Sequence, residues 1–143
     1  MGFDFTEFAE SYAASLTDTL AKLPFSSMKK LWEIVERARE QGSTIHFIGN
    51  GGSAGTPSHS AGDWSKELSL RTLSHVDNSP ALTAWANDTD FENVFVGQLS
   101  TFASPGDVVI GFSGSGNSAN VINGIQYSKD CLLYTSDAAD EVL

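Results

Sequence analysis

The stretch VVIGFSGSGNSANVINGIQYSK, residues 108–129, decides the fold. Val108 to Phe112 is an unbroken apolar run, the pattern of a strand buried on both faces of a parallel sheet. Ser113-Gly114-Ser115-Gly116-Asn117-Ser118 follows it, and a helix is expected from about Ala119 to Lys129. The same order occurs upstream. Thr44 to Ile48 is a short β-rich run that ends in Gly49-Asn50-Gly51-Gly52-Ser53. Pro57 to Leu70 then has helical character, with Thr56 as cap and Pro57 at the first helical position. Between these two units, Ala81 to Ala86 reads as the second apolar strand, ended by Asn87-Asp88. Phe91, Val94, Phe95, Leu99 and Phe102 form a helix stripe, and Pro105-Gly106-Asp107 a turn. Strands alternating with helices predict an α/β fold on a parallel sheet.

Two helices lead into this core. Phe8, Tyr12, Leu16, Leu20 and Leu23 recur at helical spacing, and Asp4 with Glu7 fits a capping-box start. After Pro24, a second stripe runs through Met28, Leu31, Trp32, Val35 and Ala38, with Ser26 or Ser27 as cap and Gly42 as stop. These helices either form an arm or dimer face, or cover the sheet of their own subunit.

Composition excludes several classes. The 143 residues are 41% hydrophobic and carry a net charge of -10. One domain with a sizeable core is expected. So acidic a chain is a poor partner for nucleic acid or an anionic membrane. It carries no basic-flanked apolar leader and no apolar run of about 18 residues. The single Cys131 cannot form an internal disulfide, which suits the cytoplasm.

The two glycine-rich loops fall at the C-terminal ends of strands, the edge where open α/β sheets bind ligands. Glycines let backbone N–H groups approach an anion, serine hydroxyls add donors, and a helix N-terminus adds a favourable dipole. The pair of loops is suited to a phosphomonoester; each alone also reads as an ordinary strand-to-helix turn. Gly49, Gly51 and Ala54 fit a dinucleotide loop too, with Asp77 as the ribose acid, but Gly55-Thr56-Pro57 is expected to break that helix start. His59 and Asp63 lie four apart, on one helix face. Such a pair either binds a divalent metal, divides acid and base roles, or is simply solvated. His46 is expected to be structural and His75 solvated. Asn87-Asp88 can reach sugar hydroxyls, or cap a helix, a role Asp90 can also fill.

These segments resemble a known family. GNGGSAGTPSHSAGDWSKEL (49–68), AWANDTDFENVF (84–95) and GFSGSGNSANVINGI (111–125) are similar to the corresponding segments of sugar isomerase (SIS) domains, above all of the phosphoheptose isomerases. The resemblance covers residues 1 to about 130. It implies a doubly wound, flavodoxin-like parallel sheet, cut after its third strand and preceded by the helical arm (1–42 arm, 43–130 core). It implies aldose–ketose isomerisation of a phosphorylated sugar, sedoheptulose 7-phosphate, through an enediol. By position, Asn50, Gly51, Gly52, Ser53, Asn87 and Asp88 would contact the sugar. Ser113, Gly114, Ser115 and Ser118 would hold the phosphate. His59 and Asp63 would be catalytic residues and zinc ligands. Asp63 stands where these isomerases usually have Glu, and Gly114 where Thr is common. The family's further metal ligands, a Gln and a His from a later helix, have no counterpart. The resemblance also implies a homotetramer built through the leading helices. A non-catalytic SIS module that senses a phosphosugar or binds a protein is the competing reading.

The residues CLLYTSDAADE (131–141) resemble one reading frame of a transposon-end adapter used in sequencing libraries. On that reading 131–143 is a non-native tail. Otherwise Cys131 to Thr135 would be a fourth strand before an acidic turn. Three strands, where the fold has about five, leave Val108–Phe112 with an open edge, an aggregation hazard.

Overall fold

Asp4 sets the first helix. Its side chain accepts the Glu7 N–H at 3.1 Å, and α1 runs Phe5–Ala21. The computed structural model describes residues 2–131. They fall into two units, one ending at Trp32 and the other beginning at Glu33. In the first, Phe8 of the predicted stripe packs on Phe3 and Tyr12, with ring centroids 5.5 and 6.2 Å apart. Helix α2 is Phe25–Gln41. It begins ahead of Ser26 and Ser27, so neither is its cap; Met28 already donates to the Pro24 carbonyl at 3.0 Å. Gly42, at φ +67°, ends it as predicted.

The second unit is built on a three-stranded parallel sheet in the order β2-β1-β3. β1 is Thr44–Gly49, β2 Arg71–Ser74 and β3 Val108–Phe112. The second strand is therefore not Ala81–Ala86. That run lies in a helix, α4 (Ser79–Asp88), which Asn78 caps by accepting the Ala81 N–H at 3.1 Å, with Pro80 in its first turn. Helix α3 is Gly52–Leu68 and joins β1 to β2. It starts directly after the first loop and runs through Gly55 and Thr56, so Pro57 is a buried residue inside the helix and Thr56 is no cap. The expected break in the helix start is absent. A short 3₁₀ turn, Phe91–Asn93, leads into α5 (Val94–Phe102). Helix α6, Ala119–Cys131, follows the second loop. Cys131 thus closes a helix, and the remainder of the proposed fourth strand and tail lies outside the described residues.

Central position explains why β1 is the most buried strand. Ile45, Phe47 and Ile48 are fully buried, each worth about 1.5–3 kcal/mol of removal from water. Alternation along the strand sends them to different layers. Phe47 meets Trp64 of α3 edge-on at 5.2 Å. Ile48 packs with Val94 and Phe95 of α5 and Val121 of α6. β3 is half-buried rather than buried on both faces, because among the described residues it pairs with β1 alone.

Candidate functional site

Pairing in the sheet brings the two loops together. Gly49 stands opposite Phe112 in the β1–β3 register, so both strands release their loops at the same edge. The approach is close: a Cβ on Gly49 would lie 2.1 Å from the Ser53 carbonyl oxygen and 3.1 Å from that of Phe112. Only glycine fits there. Gly51 takes φ +53° and turns the chain into α3, whose N-terminus carries no side-chain cap. Its first-turn N–H groups, those of Gly52 and Ser53 among them, are left open to an anion.

In the second loop, the Ser113 and Ser118 hydroxyls lie 3.2 Å apart and close the turn on itself. Gly116 adopts φ +68° and donates to the Ser113 carbonyl at 3.3 Å. Asn117 binds Ser115 twice, its backbone N–H to Oγ at 3.2 Å and its Nδ2 to the carbonyl at 2.9 Å. Gly114 and Ser115 face solvent. The Ser113 and Ser118 hydroxyls thus face each other directly before the first turn of α6, the kind of donor set a phosphate requires.

Asn120, one residue into α6, was not among the expected site residues. It is almost wholly buried and joins the two loops. Asn50 Nδ2 donates to Asn120 Oδ1 at 2.7 Å, and Asn120 Nδ2 donates back to Asn50 Oδ1 at 2.8 Å. Nothing in its own segment signals this role, because the partner lies 70 positions away.

His59 and Asp63 share an exposed face of α3, with Nε2 3.0 Å from Oδ2. The i,i+4 spacing predicts this pairing. Two donors begin a metal site and do not complete one, since structural and catalytic zinc take at least three protein ligands. Among the described residues no third His, Cys, Asp or Glu joins them. Asn87 and Asp88 lie in the exposed last turn of α4, Asn87 Nδ2 donating to Asp88 Oδ1 at 2.8 Å. Asp90 caps only the 3₁₀ turn, through its carbonyl to Asn93 N–H at 2.9 Å.

His46, expected to be structural, is buried; His75, expected to be solvated, is buried too. The β1–β2 ladder continues one step past Ser74, with His75 N–H donating to the Phe47 carbonyl at 3.0 Å, and this draws the side chain inward. There it meets His46, which in turn reaches Asp107. Gln98 Nε2 donates to the His75 carbonyl at 2.9 Å.

The chain is similar to known proteins in sequence and fold. Residues 7–135 match the model of the SIS domain family. The chain belongs to the SIS domain family. A phosphoheptose isomerase from Crocosphaera subtropica is 40% identical over 107 residues, 71% of this chain and 55% of that protein. A probable phosphoheptose isomerase from Thermoplasma volcanium is 36% identical over 113 residues, 76% of this chain and 58% of that one. The chain thus spans little more than half the length of these SIS relatives. The solved phosphoheptose isomerase GmhA of Neisseria gonorrhoeae superposes with a TM-score of 0.80 at 31% identity, over 90% of this chain and 68% of that one. Among the described residues no helix is long and apolar enough to cross a membrane.

Proposed function

We propose that this SIS domain binds a phosphorylated sugar across its two loops and forms part of a phosphoheptose isomerase. The observation that carries the reading is the Gly49–Phe112 register, which sets a glycine loop and a serine loop side by side at one sheet edge. Ser113, Ser115, Ser118 and the Gly114 N–H would hold the phosphate. Asn50, Gly51, Gly52 and Ser53 would line the sugar, with Asn87 and Asp88 reaching its hydroxyls. The relatives' names supply the substrate class, a heptose phosphate.

Converting sedoheptulose 7-phosphate to the aldose requires a base to take the proton alpha to the carbonyl while the carbonyl oxygen is protonated, giving an enediol, and an acid to return a proton to the neighbouring carbon as the aldose carbonyl forms. Asp63 is our candidate for that base. His59, 3.0 Å away, would orient its carboxylate. His59 and Asp63 are also the donors this chain would offer a zinc ion, whose remaining ligands would come from beyond the described residues. Zinc would supply polarisation of the carbonyl. The cytoplasm and a homotetramer belong to the same proposal.

A chain of the relatives' full length tests it. Asp63→Asn should lose turnover while keeping affinity for sedoheptulose 7-phosphate. Retained turnover would remove Asp63 as the base. The second reading, a non-catalytic phosphosugar sensor, draws on the exposure of His59 and Asp63 and on Asp63 being one methylene shorter than Glu. A sensor needs no zinc, so the metal content of the purified full-length protein separates the two.

A further inference from the structure

We infer that Asn120 is a positioning residue of the sugar-phosphate site, anchoring the Asn50 amide and fixing the first loop against the start of α6. The inference rests on the proposed binding of a sugar phosphate at these loops. A buried asparagine early in a helix ordinarily satisfies itself on nearby backbone. Asn120 instead commits both ends of its amide to a residue 70 positions away, at 2.7 and 2.8 Å. The bonding is reciprocal. Turning over either amide alone sets oxygen against oxygen and nitrogen against nitrogen, so the two amides are locked to each other and the buried Asn120 anchors Asn50 in place. Each partner keeps one Nδ2 hydrogen and one Oδ1 lone pair unused. Asn120 is only 3% exposed, whereas Asn50 is half-buried at the loop surface. The unused donor and acceptor of Asn50 are therefore the ones a sugar can reach. Ser118, two residues before Asn120, closes the serine loop on Ser113. The same first turn of α6 thus ends the phosphate loop and holds the sugar loop, setting the spacing between them.

The test is a double-mutant cycle on affinity for sedoheptulose 7-phosphate, with thermal melts alongside. Asn120→Ala and Asn50→Ala should each weaken binding roughly tenfold, the worth of about one hydrogen-bonded contact. The double variant should bind no worse than either single one, because the two residues act as one unit. Losses that multiply, or wild-type affinity in Asn120→Ala, would overturn the inference. No binding by the unaltered protein would instead overturn the proposed site itself. Should Asn120→Ala not fold, the unaltered protein gives the answer by NMR. On adding the sugar phosphate, the Asn50 and Asn120 side-chain NH₂ signals should shift together; a shift confined to Asn50 would overturn the inference.

Discussion

His46 Nδ1 lies 2.9 Å from His75 Nε2, with both rings buried and stacked at 5.1 Å. His46 Nε2 lies 3.1 Å from Asp107 Oδ2. A carboxylate can only accept, so His46 donates from Nε2 and its Nδ1 takes the proton-bearing Nε2 of His75. Burial lowers the affinity of both rings for a second proton, and the neighbouring His46 adds to the effect at His75, which falls to about 4. Burial pushes the Asp107 carboxyl up. The Thr44 and Ser104 N–H groups and His46 outweigh it and hold the group below its ordinary value.

The first prediction is loss of stability in mild acid. Unfolded, His75 takes up its proton near pH 6.5; folded, it resists until about 4. Between those values the unfolded chain binds more protons, so stability falls as pH falls. The fully expressed effect is about 3 kcal/mol. Asp107, held low, adds further loss only below the ordinary carboxylate range. Urea melts at pH 7, 5.5 and 4.5 should show the decline, and a flat profile would contradict the buried histidine pair.

Asp107 itself should be costly to remove. Its Oδ1 accepts the Thr44 N–H at 2.7 Å, where β1 begins, and Oδ2 accepts the Ser104 N–H at 2.8 Å together with His46. Asp107→Ala leaves three donors unmatched and should destabilise by about 2–4 kcal/mol in chemical denaturation. A loss under about 1 kcal/mol would mean that water replaces the carboxylate freely.

Gly97→Ala should disturb the helix that carries Asn87 and Asp88. A Cβ there would fall 2.3–2.6 Å from three ring carbons of Trp85. The indole is a stiff neighbour, so either α4 or α5 must shift, at about 1–3 kcal/mol. Trp85 is two residues from Asn87. The near-ultraviolet circular dichroism should change and sugar-phosphate affinity should fall. Unchanged spectra and affinity would show that the ring moves aside unaided.

Much of this is legible in the sequence because the signals are local. The helix stripes, the Asp4 cap, the Gly42 stop, both glycine loops and the His59–Asp63 pair each depend on spacing within one segment. The errors arise where partners come from elsewhere. Arg71–Ser74 is a short strand with mixed polarity at the sheet edge, and hydrophobicity does not reveal it. Ala81–Ala86 is apolar apart from Thr83 and carries no period that separates strand from helix; Asn78, Ser79 and Pro80 held the decisive start signal. His75 sits in a polar sequence, yet its burial follows from Phe47, His46 and Gln98, three separate places in the chain. Asn120 escapes for the same reason, since its meaning lies in Asn50.

The sharpest contrast is between two glycines at the same site. At Gly116 a Cβ would meet nothing within 4 Å, and the cost is only that of φ +68° in a residue with a side chain, about 1–2 kcal/mol. At Gly49 the backbone conformation is ordinary, but the Cβ would lie 2.1 Å from the Ser53 carbonyl oxygen. That carbonyl cannot retreat cheaply, because it belongs to the first turn of α3. Gly49→Ala must therefore push α3 away from the sheet edge or part β1 from β3. The expected result is loss of sugar-phosphate binding with a clear drop in melting temperature, while Gly116→Ala keeps its fold and most of its affinity. Equal effects from the two substitutions would show that the close approach of the first loop to Phe112 does not set the site.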